Sequence, residues 1–304
     1  MLNFTRPEYN YAKDCIARLR NRYLVATAAL AQGDDASMRT IMVGVDGSAG
    51  GEVAAEYAVE IAQLLRGGVY AVGVLPEAGA AEPELDERDA NTVAAERAAR
   101  GTASSWFEGA RKLCAERKVE LAETRRPGDP AQVLAQEAES ADLVVIGAQG
   151  VTADPVMLLG STVQRLLRFC IKPMLVTRAD HRPITRALVG YDGSPDSGHA
   201  VELVADLAAA GGWEVVVVTG APEHSRLADG ARRAARLVSA RGVEPEVRVV
   251  EGDAPTILFD DAKRLDADLI ALGGVPRGML TGFFFGEAWP DVVEQAKVPV
   301  LLWR

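Results

Sequence analysis

The chain reads as an α/β protein built from two tandem doubly wound parallel-sheet domains, preceded by an N-terminal helix. Three observations predict this. A nine-residue strand-and-turn segment recurs, and short β-branched runs alternate with Ala-rich helical stretches. The composition is also rich in Ala, Val and Gly, with only 6% aromatics, which suits buried parallel strands covered by small-residue helices.

The repeat is found by offset. Thr40-Ile41-Met42-Val43-Gly44-Val45-Asp46-Gly47-Ser48 returns as Arg186-Ala187-Leu188-Val189-Gly190-Tyr191-Asp192-Gly193-Ser194, 146 positions later (46 to 192). Pro76-Glu77 and Pro222-Glu223 keep that spacing. Later anchors, Ala141-Asp142-Leu143 against Ala267-Asp268-Leu269 and Pro173 against Pro299, lie 126 apart (142 to 268). The first copy therefore holds 20 more residues between the anchors (146 less 126), and the acidic, Ala-rich stretch after Pro76 is their expected place. Matches at both ends with one length change between them establish a duplication.

In the first copy, Ile41–Val45, Val69–Val74, Leu143–Ile146 and Met174–Thr177 are apolar runs too short for helices, and Val119–Thr124 is a weaker strand. Helical patterning covers Glu52–Leu65, roughly Ala90–Arg117, Pro130–Glu139 and Val163–Phe169. Strands alternating with helices imply a parallel sheet, whose ligands bind at the carboxyl ends of the strands where strand order reverses.

Composition excludes several classes. The net charge of −10 argues against a phosphate-neutralising surface, so nucleic acid is not an expected partner. Cys15, Cys114 and Cys170 are odd in number and form no C-x-x-C pair, which disfavours disulfides and structural zinc and favours a reducing cytoplasm. His181, His199 and His224 do not cluster at ligand spacing. No apolar run is long enough to span a membrane. Arg18, Arg20 and Arg22 before Tyr23–Ala31 imitate a secretion signal only faintly; Ile16, Leu19, Tyr23 and Leu30 share one face of an amphipathic helix instead. Residues 1–37 are thus expected to be a helical extension, either a docking helix or the product of an upstream start codon, with Gly33-Asp34-Asp35 as its linker. The two domains are expected over residues 38–180 and 185–304.

The chemistry concentrates where the fourth strand of the first copy runs into Gly147-Ala148-Gln149-Gly150, followed after nine residues by Gly160-Ser161-Thr162 and a helix-like stretch. Glycines permit close backbone approach and positive φ. Successive N–H groups and a helix N-terminus cradle phosphate without Lys or Arg. Ser161 and Thr162 are expected to cap that helix or donate to phosphate oxygens. A P-loop lysine and G-x-G-x-x-G are both absent.

The pattern G-x2-G-x9-G-[ST], with an opening strand ending in V-D-G-S, resembles the universal stress protein family in its tandem form, over about residues 38 to 304. The resemblance implies five-stranded parallel sheets with helices on both faces, and binding of ATP, or occasionally AMP or cyclic AMP. Carried onto this chain, it implies that Gly44, Val45 and Asp46 hold adenine and ribose, with Val74 against the base. Ile146 and Gly147 line the ribose side, and Gly150, Gly160, Ser161 and Thr162 hold the phosphates. It also implies pairing of Met174–Thr177 with Val300–Trp303, and association of two chains as a homodimer.

The second copy departs from the pattern. Gly273 and Gly286 are kept, but Pro276 removes a backbone donor and Glu287 stands where Ser161 stands. Gly220 replaces Val74, Tyr191 replaces Val45, and Phe283-Phe284-Phe285 fills the loop. The expectation is one nucleotide per chain, in an ATP-occupied stress-response module read by a protein partner yet to be identified. A slow ATPase and a nucleotide-free structural module are the alternatives. No general base and no catalytic residue is legible, and no Mg2+ ligand beyond Ser161 or Thr162.

Overall fold

Thr40–Val45 forms β1, and its end explains why the same turn appears twice. Asp46 Oδ1 accepts from Ser48 N at 3.0 Å, Gly47 takes a left-handed φ of 78°, and Ser48 Oγ accepts from Gly51 N at 3.0 Å. In D-G-S the Asp therefore closes a side-chain turn, the Gly makes the left-handed corner and the Ser caps the helix. The second copy repeats it, with Gly193 at φ 80° and Ser194 capping through Ser197 N at 3.1 Å.

The computed structural model describes residues 39–75, 105–150, 159–178, 180–252, 254–273 and 292–303. After β1 come α1 (Ala49–Leu64), β2 (Gly68–Leu75), a 3-10 turn (Ser105–Phe107), α2 (Glu108–Arg117) and β3 (Glu120–Pro127). Then follow α3 (Pro130–Ala138), β4 (Leu143–Gly147), α4 (Ser161–Phe169) and β5 (Met174–Thr177). The second half runs β6 (Arg186–Gly190), α5 (Pro195–Gly211), β7 (Glu214–Gly220), α6 (Arg226–Ser239) and β8 (Glu246–Val250). It closes with α7 (Ala254–Arg264), β9 (Leu269–Gly273) and β10 (Val300–Trp303). The expected strand near Val119–Thr124 is longer than its pattern suggested, because it is a half-exposed edge with mixed polarity. The N-terminal extension, the insertion after Pro76 and the second copy's loop from 274 to 291 lie outside the described residues.

The strands form one ten-stranded sheet in the order β3-β2-β1-β4-β5-β10-β9-β6-β7-β8. Every neighbouring pair is parallel except β5 with β10, whose antiparallel register sets Val300 against Val176, Leu301 against Leu175 and Leu302 against Met174. Each copy thus contributes the five strands the resemblance implied, and the two last strands cover one another's edges. The seam does not interrupt the core. On one face Ile41, Leu175, Leu301 and Val189 share a buried cluster beneath α1, α2, α5 and α6. On the other, Met42, Met174, Leu302 and Leu188 share a second cluster, which also takes in residues of α3, α4 and α7. Burying one such side chain is worth about 1.5–3 kcal/mol, so the seam is an energetic joint as well as a hydrogen-bonded one.

Strand order reverses between β1 and β4, and again between β6 and β9. A ligand crevice belongs at the carboxyl ends of these pairs.

Candidate functional site at the ends of β1 and β4

Adjacency of β1 and β4 brings the first copy's candidate residues to one edge. Gly147 ends β4 against the start of α1, where an added Cβ would lie 2.6 Å from Gly50 O. An added Cβ on Gly50 would in turn lie 2.4 Å from Gln149 O. Gly150 then passes so near Asp46 that a Cβ there would stand 2.5 Å from Oδ2. The loop closes through Ala148 N to Thr177 O at 3.0 Å and Gly160 N to Ala148 O at 2.8 Å. The strand end, the loop and the helix start are therefore pinned around Asp46.

The glycines serve approach rather than unusual dihedrals. The positive φ expected of them is absent at Gly147, Gly150 and Gly160; Gly160 sits at φ −65° and ψ 151°. A Cβ on Gly160 would meet Ala148 O at an ordinary 3.5 Å, so neither the backbone nor packing among the described residues requires glycine there.

Ser161 and Thr162 are not caps. The N-cap of α4 is Gly160, which has no side chain to offer, and no side-chain hydrogen bond closes the helix start. Ser161 is exposed and Thr162 half-buried in the first turn. The first N–H groups of a helix have no intrahelical acceptor, and they carry its positive dipole end.

Side chains divide by face. Gly44, Ile146 and Leu134 meet on the side of α3, where a Cβ on Gly44 would touch Leu134 and Ile146 at 3.5 and 3.6 Å. Val74, half-buried, packs against the same cluster. Val45 alternates to the opposite face and is buried beneath α1, so only its backbone can serve a ligand at this edge. Tyr191, its counterpart, likewise turns away from the crevice toward α6, where a Cβ on Gly230 would lie 3.1 Å from its ring. Tyr191 therefore does not itself obstruct the second crevice.

Trp106 was not among the residues the sequence singled out. It is buried, and its Cδ1 would lie 2.6 Å from a Cβ on Gly47, so the indole forms a wall beside the D-G-S turn. The available signal was a Trp-Phe pair in an aromatic-poor chain. Phe107 beside it carries the Arg125 guanidinium 5.0 Å above its ring. Arg165, one turn into α4, pairs with Asp129 at 2.5 Å and holds that carboxyl below its usual range. Burial and the neighbouring Glu137 carboxylate push the Tyr70 hydroxyl pKa upward.

The second crevice is more closed. Asp192 is only 5% exposed where Asp46 is half-buried, and Ser197 replaces Gly51. A Cβ on Gly220 would meet Ile257 at 3.4 Å. Pro276, Gly286, Glu287 and the three Phe lie outside the described residues. Cys114 and Cys170 are buried, and burial pushes the Cys114 thiol up to about 11. Among the described residues, no group of three or more His, Cys, Asp or Glu is placed to hold a metal ion, and no helix is long and apolar enough to cross a membrane.

A doubly wound sheet, built twice over with a glycine-lined crevice at the first switch point, defines an α/β protein of tandem architecture. The chain belongs to the universal stress protein family, whose model matches residues 38–178 and 220–304. It is similar to universal stress protein Rv2005c of Mycobacterium tuberculosis, 28% identical over 288 residues, covering 87% of this chain and 96% of that protein. A universal stress protein of Mycolicibacterium smegmatis is 31% identical over 194 residues, covering 57% of this chain and 65% of its own length. A universal stress protein structure from Archaeoglobus fulgidus superposes with a TM-score of 0.69 at 17% identity, covering 88% of this chain and 99% of that one.

Proposed function

We propose that the first copy binds one adenine nucleotide at the carboxyl ends of β1 and β4, and that the second binds none. The observation that carries this reading is the convergence of Asp46 with Gly150 beside the uncapped start of α4. A crevice that offers both a carboxylate acceptor and the uncapped N–H donors of a helix start suits a ligand carrying both hydroxyls and phosphates. Asp46 accepts from the ribose, while Gly44, Val74 and Ile146 lie on the base and sugar side. Gly147 lines the ribose side, while the Gly150 backbone, the first N–H groups of α4 after Gly160 and the Ser161 and Thr162 hydroxyls meet phosphate oxygens. Glycine at 160, which the fold does not require, is accounted for by phosphate approach.

The motif favours ATP over AMP or cyclic AMP, since its phosphate donors extend from Gly150 to Thr162. Mg2+ would accompany the phosphates, with the Ser161 or Thr162 hydroxyl as the protein's contribution. The fit is to binding rather than turnover. The chain is then a cytoplasmic stress-response module, pairing with a second copy as a homodimer, whose protein partner distinguishes the loaded state. The units that divide these roles are the domains at 38–180 and 185–304. Acid extraction of the purified protein followed by chromatography tests the reading. Adenine nucleotide, or its ready uptake on adding ATP, is expected; protein that neither carries nor takes up nucleotide overturns it.

A further inference from the structure

The two halves meet along two clefts related by the repeat, and one of them is lined by a segment of the chain itself. On the α1 side, the connection that enters β6 lies across Glu56, Tyr57 and Glu60. His181 stacks on Tyr57 with ring centroids 4.5 Å apart, and its Nε2 lies 3.0 Å from Glu60. Arg182 N donates to the Tyr57 hydroxyl at 3.0 Å, and that hydroxyl approaches Arg182 O at 2.9 Å. Ile184, just before β6, is 4% exposed.

The equivalent positions on α5, 146 residues later, are Glu202, Leu203 and Asp206 (56 to 202, 57 to 203, 60 to 206). They line a cleft of about 540 Å³ between the halves, together with Arg39, Ile171 and Trp303. Ile171 is 58% exposed there, a large apolar side chain turned to solvent. Arg39 spans the cleft to Asp206 at 3.0 Å. Among the described residues Glu202 makes no hydrogen bond or ion pair. The residue that matches Ile184 in the repeat is Met38 (184 less 146).

We propose that residues 1–37 seat in this cleft, as the connection before β6 seats in its twin. Three features select this occupant. The segment joins the fold at Arg39, itself a wall of the cleft, so no further loop is needed to reach it. Its first 31 residues carry five Lys or Arg against two Asp or Glu, and the cleft offers such a basic segment Glu202 and Asp142, with Lys172 beside them. Ile16, Leu19, Tyr23 and Leu30, which share one face in the helical reading of the sequence, supply the apolar surface that the exposed Ile171 lacks. A helix of about 20 residues is roughly 30 Å long, enough to follow the seam. The proposal is independent of nucleotide binding.

The test places a benzoyl-phenylalanine photo-crosslinker at position 171 in the full-length chain, at an exposed site where the fold tolerates it. After irradiation at low protein concentration, peptide mapping is expected to find the crosslink within residues 1–37 of a species of monomer mass. Glu202→Arg is expected to lower that yield about two- to fivefold, as loss of an exposed ion pair would. Crosslinks at dimer mass, which would make the cleft an interface between copies, overturn the proposal. So does a crosslink confined to other parts of the same chain, or none.

Discussion

Asp46 and Gly150 lie so close that a Cβ on Gly150 would stand 2.5 Å from Asp46 Oδ2. They are distant in sequence and meet because β1 and β4 are neighbours, with Ile41 registered on Leu143. The carboxylate at the end of one strand thus faces the glycine loop at the end of the other. Gly150→Val would push a branched side chain into that carboxylate and displace the loop. A loss of ATP affinity of at least about tenfold is expected by calorimetry, since a misplaced backbone forfeits charge-assisted bonds worth about 1.5–3 kcal/mol each.

Gly160→Glu separates binding from folding. The site tolerates a Cβ, at 3.5 Å from Ala148 O with φ −65°, so circular dichroism and thermal stability should stay close to the original. A carboxylate at the phosphate position should abolish ATP binding. Ser161→Ala should be milder, costing about one to two decades in affinity through one lost charge-assisted bond.

The shared cores predict one cooperative unit. Leu301 is buried at the seam opposite Leu175, in a cluster that spans both halves. Leu301→Ala should cost about 2–5 kcal/mol and lower the melting of both halves together. Two separate calorimetric transitions in the unmodified protein would contradict the joint.

Acid sensitivity follows from Asp129. The Arg165 guanidinium, with help from the Gln132 N–H, lowers its pKa in the folded state. Its contribution is therefore complete above the ordinary Asp value of about 3.9 and disappears as pH falls through the lowered one. The pair is partly exposed, so the effect should be at most about 1 kcal/mol. Asp129→Asn keeps the α3 cap and should lower the urea midpoint at neutral pH, the difference shrinking as pH falls below the ordinary Asp value of about 3.9.

Much of this was legible because two signals coincide in the sequence. The repeat fixed which runs are equivalent, and buried parallel strands such as Leu143–Gly147 stand out as unbroken apolar runs. D-G-S carried its turn and its cap in three residues. What escaped depended on tertiary neighbours. Val45 and Gly44 are adjacent letters, yet alternation sends one to each face, and only the sheet's packing says which face holds the crevice. Ser161 looks like a cap by composition, but the helix begins one residue earlier than a cap at 161 would require. Trp106 follows a long insertion, so no periodicity ties it to the turn at Gly47.

One nucleotide site in the first copy and none in the second is a stoichiometry that can be counted. Titration of the intact chain with ATP, followed by isothermal calorimetry, tests this most directly. A single class of site with one nucleotide per chain, abolished by Gly160→Glu, is expected; two equivalent sites per chain, or one that survives that substitution in folded protein, would overturn the assignment.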